Sequence, residues 1–364
     1  MPFTYPHFGS LKYVFQSLLN ELGRPDQIVP NKPSKKTAQL GSMHSPEFVC
    51  TPFKITLGTF IESLERGATE LGSGGGNGYC RFRSYWGVQK LILEDLGFDF
   101  KFITIDYENP MQILRAFKGV SNNCTTLQTI RAFRIAWTKN RLTDLIDKLV
   151  YRYRAIELIP GTTDKVANKL FQQVVEIKGV KNIRRLQRKI PEIFEESIEI
   201  QKDINPIKVV INGEIYVVLE PSLNLDIHRR LNKLGVIVET PTTIRKFIDI
   251  GMRINPFIKM HHKVAMKTAK RYVPYHYGGE IQENIGDTMI FSKKGYDGII
   301  HLYPFTCMPE IITRSILPQV SREHDIAVLS LVVDEQTGEA GFQTRLEAFV
   351  DLLIRKRAEK NKKS

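Results

Sequence analysis

The sequence predicts an α/β protein built from Rossmann-like (flavodoxin-like) parallel-sheet domains with a helical middle region, and three observations carry that prediction. After Pro206 an apolar β-branched run, a helix-period segment, a glycine and a second apolar run follow one another, the pattern of a βαβ unit. The N-terminal part reads as an apolar start, helical segments that follow Cys50 and Cys80, and a strand from Phe98 to Ile105. Between the two lies a long stretch of nearly continuous helical period. A chain of 364 residues has room for two or three domains. The expected division is an N-terminal α/β domain over 1–107 carrying Cys50 and Cys80, a helical region over 108–205 and a C-terminal α/β domain over 206–350 carrying Cys307. Residues 351–364 are expected to form the end of the last helix and a basic tail.

Met1 to Leu22 reads as an apolar start, a turn, and a helix through Leu11, Val14, Phe15, Leu18, Leu19 and Leu22, stopped by Gly23. Arg24 to Ser45, rich in Pro, Lys and Ser, reads as a loop. Cys50 then precedes Pro52, Phe53 and a helical period (Ile55, Leu57, Phe60, Ile61, Leu64) that runs to Gly67. Gly72, Gly74, Gly75, Gly76 and Gly78 read as a flexible run, able to take positive φ and approach a ligand closely. The run leads to Tyr79, Cys80 and an amphipathic helix from Tyr85 to Leu96. It is neither a phosphate loop, lacking Gly-Lys-Ser/Thr, nor a dinucleotide fingerprint, since its glycines are nearly contiguous. Phe98 to Ile105 reads as a strand and Asn109 to Gln201 as mostly helix. Cys124, in a cap-like turn, reads as a small structural residue.

In the C-terminal part, Lys208 to Val218 reads as a strand containing Gly213, and Ser222 as the cap of a helix through Leu225, Ile227, Leu231 and Leu234. Gly235 ends that helix and Val236 to Val238 begin the next strand. Gly278 to Gly286 reads as a turn-rich loop. Gly298 to Leu302 is an apolar run closed by Pro304; Cys307 follows, and Pro309 opens a helical period from Ile311 to Leu317. Cys307 is thus expected at the carboxyl end of a strand, facing a helix N-terminus. Open α/β sheets bind ligands at this edge, and its amides and dipole favour a thiolate. Ile326 to Val333 and Thr344 to Ile354 read as the last strand and closing helix.

The hydrophobic fraction of 42% and aromatic fraction of 10% are those of a globular chain. No apolar run approaches the ~18–20 residues of a membrane span, and the N-terminus does not read as a signal peptide, so a cytoplasmic protein is expected. Four cysteines are too few for a disulfide framework. The net charge of +13 suits an anionic partner. Part of it lies in Arg355, Lys356, Arg357, Lys360, Lys362 and Lys363, expected as a solvated tail. Part lies in Lys181, Arg184, Arg185, Arg188 and Lys189, expected on one helix. No nucleic-acid motif accompanies these charges, so a phosphorylated cofactor such as coenzyme A, or an acidic protein, is expected in preference to nucleic acid.

Cys50, Cys80 and Cys307 each stand at an element-to-helix transition. Their spacing alone allows three unrelated buried cysteines or a shared metal site. A zinc ribbon needs local CxxC pairs, which are missing; an iron–sulfur cluster takes non-local thiolates. Arg81 and Arg83 could offset the charge of such a cluster. Glu310 is expected to cap its helix by accepting backbone N–H bonds, the alternative being an approach to an open iron. His261, His262 and His276 read as a solvated or anion-facing segment.

The stretches Cys50-Thr-Pro-Phe-Lys, Gly78-Tyr-Cys-Arg-Phe-Arg, Gly213-Glu-Ile-Tyr-Val-Val-Leu-Glu-Pro-Ser-Leu-Asn, Pro304-Phe-Thr-Cys-Met-Pro-Glu and Asp334-Glu-Gln-Thr-Gly-Glu-Ala-Gly-Phe-Gln-Thr-Arg-Leu-Glu-Ala-Phe resemble those of the 2-hydroxyacyl-CoA dehydratase and benzoyl-CoA reductase superfamily. Within it the chain is most similar to the branch called CoA protein activase, over nearly its whole length. The resemblance implies a 4Fe-4S or related cluster held between Rossmann-like domains by three cysteines of a subunit, here Cys50, Cys80 and Cys307. It also implies low-potential one-electron chemistry on an acyl-CoA or similar substrate, through a ketyl radical that expels a hydroxyl. A separate ATP-dependent activator protein with its own cluster would supply the electron, and a second subunit or a homodimer partner is implied as well. The ATPase role is not expected of this chain, which has no phosphate loop. The alternative is an electron-transfer or cluster-carrying partner protein without its own substrate. A wet basic cleft beside Cys307 would mark the enzyme and an enclosed cluster the carrier.

Overall fold

The computed structural model describes residues 1–75, 80–106, 110–202, 204–246 and 256–363, so Gly76, Gly78 and Tyr79 of the glycine run lie outside the described residues. The chain divides into two compact units, one of residues 1–144, 170–188 and 244–256 and one of 145–169, 189–243 and 257–364. Each holds one parallel sheet. The fold is therefore α/β, as the sequence predicts. Among the described residues no helix is long and apolar enough to cross a membrane.

The sheet of the first unit has three strands, β1 (Phe3–Thr4), β2 (Glu70–Gly75) and β3 (Lys101–Asp106), in that order. Around it lie α1 (Leu11–Glu21), α2 (Lys35–His44), α3 (Thr51–Glu65), a 3-10 turn (Arg81–Ser84) leading into α4 (Tyr85–Asp95), and α5 (Pro110–Val120). Two readings change here. Arg24 to Ser45 is not all loop: Ser34 and Thr37 form a capping box that starts α2. Its few apolar residues hid it, because α2 is held by backbone contact. A Cβ on Gly41 would lie 1.7 Å from the Lys54 carbonyl oxygen, and one on Gly58 would lie 2.0 Å from that of Thr37. Likewise Gly72, Gly74 and Gly75 are strand, not flexible loop. They make room for rings: a Cβ on Gly72 would lie 2.3 Å from the Phe3 ring, and Gly74 and Gly75 receive Phe82 and Trp86.

Three long helices follow, α6 (Thr126–Tyr153), α7 (Thr162–Glu176) and α8 (Val180–Ser197), with Pro191 inside the last. The unit boundaries fall within them.

The sheet of the second unit holds β4 (Lys208–Gly213), β5 (Ile237–Glu239), β6 (Gly298–Pro304) and β7 (Ala327–Val333) in the order β5-β4-β6-β7. This is the order of the first four strands of a flavodoxin-like sheet, whose switch point falls between the first and third strands, here β4 and β6. Every residue of β6 is buried, which is why its sequence is mostly apolar on both faces, broken only by His301, instead of an alternation. The helices are α9 (Ile215–Leu219), α10 (Ile227–Lys233), α11 (Pro256–Ala269), α12 (Ile281–Lys293), α13 (Met308–Glu323) and α14 (Glu339–Lys363).

Four expectations are corrected in this unit. Lys208 to Val218 is not one strand: at Gly213, φ +133°, the chain leaves β4 and enters α9. Ser222 does not cap α10, which starts from Asp226 at φ +53°. Gly278 to Gly286 is mostly the first turns of α12, preceded by Gly278 and Gly279 at positive φ. The basic C-terminal residues are helix through Lys363, where Lys356 and Lys360 pair with Asp325 and Arg357 with Asp297.

Candidate functional site

Three of the four cysteines occupy helix N-caps. Cys50 holds the N-cap position of α3 with Pro52 in the first turn, Cys307 that of α13 with Pro309 in the first turn, and Cys80 that of the 3-10 turn that runs into α4, none making a side-chain cap hydrogen bond. The N-terminal N–H groups of a helix have no intrahelical acceptor, so a negative sulfur there meets unsatisfied donors and the positive end of the dipole. Cys124 differs. At the start of α6 the cap is Thr125, in reciprocal hydrogen bonds with Gln128. None of the four is in a disulfide.

In the first unit the turns bearing Cys50 and Cys80 meet. Arg81 donates to the Phe48 carbonyl at 3.1 Å, and the hydroxyl of Tyr85, the first residue of α4, lies 2.5 Å from the Cys50 sulfur. Phe53 and Phe82 pack edge-on against the Tyr85 ring and close the apolar side of this corner. A phenol donating to a sulfur stabilises its charged form.

In the second unit Cys307 stands just beyond the carboxyl end of β6, at the switch point. Thr306 before it has φ +66°, a strained position for a β-branched residue. Below it is a buried polar group that the sequence reading missed. His301 Nε2 lies 2.7 Å from Glu310 Oε2, both residues being wholly buried. Asn284 of α12 donates to the same oxygen at 2.9 Å, while its own side-chain oxygen accepts from Gly213 N, which fastens the end of β4 to Glu310. Glu310 therefore does not act as the expected helix cap, because its carboxylate turns inward to these partners. Among the described residues, Asn212 Oδ1, His301 Nδ1 and Glu310 Oε1 are buried with no hydrogen-bond partner.

Two more carboxyls join Glu310. Glu214 follows β4 and accepts from Val217 N at 2.9 Å; desolvation, reinforced by the charge of Glu310, pushes its pKa up to about 7 despite backbone N–H bonds that oppose the rise. Glu280 leads into α12, and burial followed by the charges of Glu310, Glu214 and Glu283 raises it well above the ordinary glutamate value. Glycines make this convergence possible. A Cβ on Gly213 would lie 1.8 Å from the Leu302 carbonyl oxygen, and one on Gly279, φ +59°, would lie 2.6 Å from Pro309. The usable sequence signals were a glycine-glutamate pair ending a β-branched run and Gly-Gly-Glu opening a helix.

The other candidates fare differently. His262 pairs with Glu283, His276 is exposed, and the side chain of His261 lies outside the described residues. Among the described residues no three His, Cys, Asp or Glu side chains are grouped so as to hold a metal ion. As donors the cysteines suit a cluster, since thiolates are its usual ligands and each of the three stands at a helix N-terminus. Comparison with protein-family models gives no match, and comparison with curated proteins gives none either.

Proposed function

We propose that the chain is an iron–sulfur protein of low-potential one-electron chemistry, resembling a 2-hydroxyacyl-CoA dehydratase subunit, with Cys50, Cys80 and Cys307 as ligands. The observation that supports it is the selection of the same three cysteines by motif and by geometry: all three are helix N-caps and Cys124 is not. A 4Fe-4S or related cluster, when bound, would supply the electron transfer. The protein's own part would be to stabilise anionic sulfur, through the helix N-termini and the Tyr85 hydroxyl, and to hold protons nearby on Glu214 and Glu280. An ATP-dependent activator protein would be the electron donor.

One observation favours the second reading, a cluster-carrying electron-transfer partner without its own substrate. The N-terminus of α13 carries carboxyls where the phosphates of an acyl-CoA would call for cations.

The test is iron and acid-labile sulfide in protein purified without oxygen, for the native chain and for Cys50→Ala, Cys80→Ala, Cys307→Ala and Cys124→Ala. The proposal expects cluster iron in the native chain and in Cys124→Ala, and its loss from the other three. Absence of iron and sulfide from the native protein after reconstitution would refute it. Acyl-CoA binding by the loaded protein then separates the enzyme from the carrier.

A further inference from the structure

Helix α8 divides its exposed charges by sign. Its N-terminal half exposes Lys181, Arg184, Arg185, Arg188 and, toward the side of the stripe, Lys189, whose counterpart about residue 190 is Pro191; the C-terminal half exposes Glu192, Glu195 and Glu196, with Glu199 just beyond. Ile183, Ile190 and Phe194 on the other side are wholly buried. At ~100° per residue the three arginines and Lys181, like the three helical glutamates, fall within about 60° of the line opposite Ile190. The charges thus form one outward stripe, basic then acidic, and among the described residues none of these nine side chains makes an ion pair.

The spacing is symmetric about residue 190. Arg188 and Glu192 lie two residues either side of it, Arg185 and Glu195 five, Arg184 and Glu196 six, and Lys181 and Glu199 nine. A twofold axis through the exposed face at residue 190 would set each basic residue opposite the matching acidic residue of a second, antiparallel α8. Such an isologous interface uses one surface twice. The acidic end is also bordered by exposed apolar side chains, Leu158, Ile159 and Ile200, tied there by Leu158 N donating to Glu199 O and by the bridge between Glu157 and Ile200. The same symmetry sets Ile200 opposite Val180. A polyanion would use only the basic half, whereas a second copy of this chain satisfies both halves and covers the apolar border.

We propose that α8 is a self-association surface at which two copies of the chain pair antiparallel through its charge stripe. This goes beyond the proposed iron chemistry and is independent of it. The test is sedimentation of the full chain with two triple variants, Arg184→Glu/Arg185→Glu/Arg188→Glu and Glu192→Lys/Glu195→Lys/Glu196→Lys. The expected result is a dimer at about 20 mM salt that weakens at least tenfold by about 500 mM, where charges only a few ångströms apart are screened. Each variant alone should be monomeric, with native circular dichroism, and the two mixed should form a heterodimer, one stripe being acidic but for Lys181 and Lys189 and the other basic but for Glu199. A native chain monomeric at low salt, a dimer that survives both reversals, or failure of the mixed pair to associate would overturn the proposal. Nucleic acid bound by the basic half of a monomeric chain would overturn it too.

Discussion

Glu214→Gln offers the most direct test of the carboxyl group at the switch point. With its pKa pushed up to about 7, folded Glu214 holds its proton over a range in which the unfolded chain has lost it. The native state therefore binds more protons than the unfolded one between the ordinary glutamate value and about 7, and in this window stability falls as pH rises. The contribution is fully present below the ordinary value and lost once the pH passes about 7. Each tenfold change in proton affinity is about 1.4 kcal/mol, so moving a carboxyl from about 4.3 to about 7 opposes folding at pH 8 by roughly 4 kcal/mol. That is an upper bound, because Glu214 keeps some contact with solvent.

Glutamine retains the oxygen that accepts from Val217 N, so the cap of α9 survives while the titration disappears. Urea unfolding of both proteins at half-unit steps from pH 4.5 to 8 reads the effect. The two should be nearly equal at the acid end and diverge steadily, the glutamine protein being more stable by 1 to 3 kcal/mol, roughly, at pH 8. Parallel curves would show that Glu214 titrates like a solvated glutamate and that the three carboxyls do not share one environment.

Two further outcomes follow from the packing. Gly213→Ala would drive a methyl into the Leu302 carbonyl at a φ of +133°, so loss of more than about 4 kcal/mol or failure to accumulate as soluble protein is expected, with Gly235→Ala, which meets nothing, as the milder control. Lys139 of α6 is almost wholly buried, bonded to Ser17 Oγ and Val175 O, and burial pulls its pKa down to about 8. Its unfolded form binds the extra proton, so native stability should rise with pH from about 8 to about 10.4 and flatten in Lys139→Met, measured by urea midpoint.

What the sequence disclosed depends on whether a residue acts through its own neighbours in the chain. The Cys307 turn was legible because strand, Pro304, cysteine and Pro309 are consecutive, and a proline in the first turn of a helix is a local signal. Helix α1 was legible for the same reason, with Gly23 at φ +73° after an unbroken apolar period. Helix α2 was not, since its stability lies in the meeting of Gly41 with Lys54 and of Gly58 with Thr37. Nor was the strand β2, whose glycines answer to Phe3, Phe82 and Trp86. Glu310 was misread because a glutamate in a first helical turn usually serves that helix, and only β6 and α12 together supply His301 and Asn284 as stronger partners. The basic C-terminal residues looked like a tail because Asp325 and Asp297, which hold them, are distant in sequence.

The features of the second unit that oppose its stability gather where its strand order reverses. Thr306 takes a left-handed backbone conformation, Glu214 and Glu280 are pressed toward protonation, and Asn212, His301 and Glu310 each bury an atom unpartnered among the described residues. Replacing such groups by apolar ones of similar shape is often neutral or stabilising, so folding alone gives no reason for all of them to lie at one edge. The dipole of α13 adds direction: it favours negative charge at the N-terminus where Cys307 stands, while burial, reinforced by neighbouring carboxylates, presses Glu214 and Glu280 toward protonation. Under the proposed iron–sulfur reading, such an edge would meet added negative charge with protons already at hand.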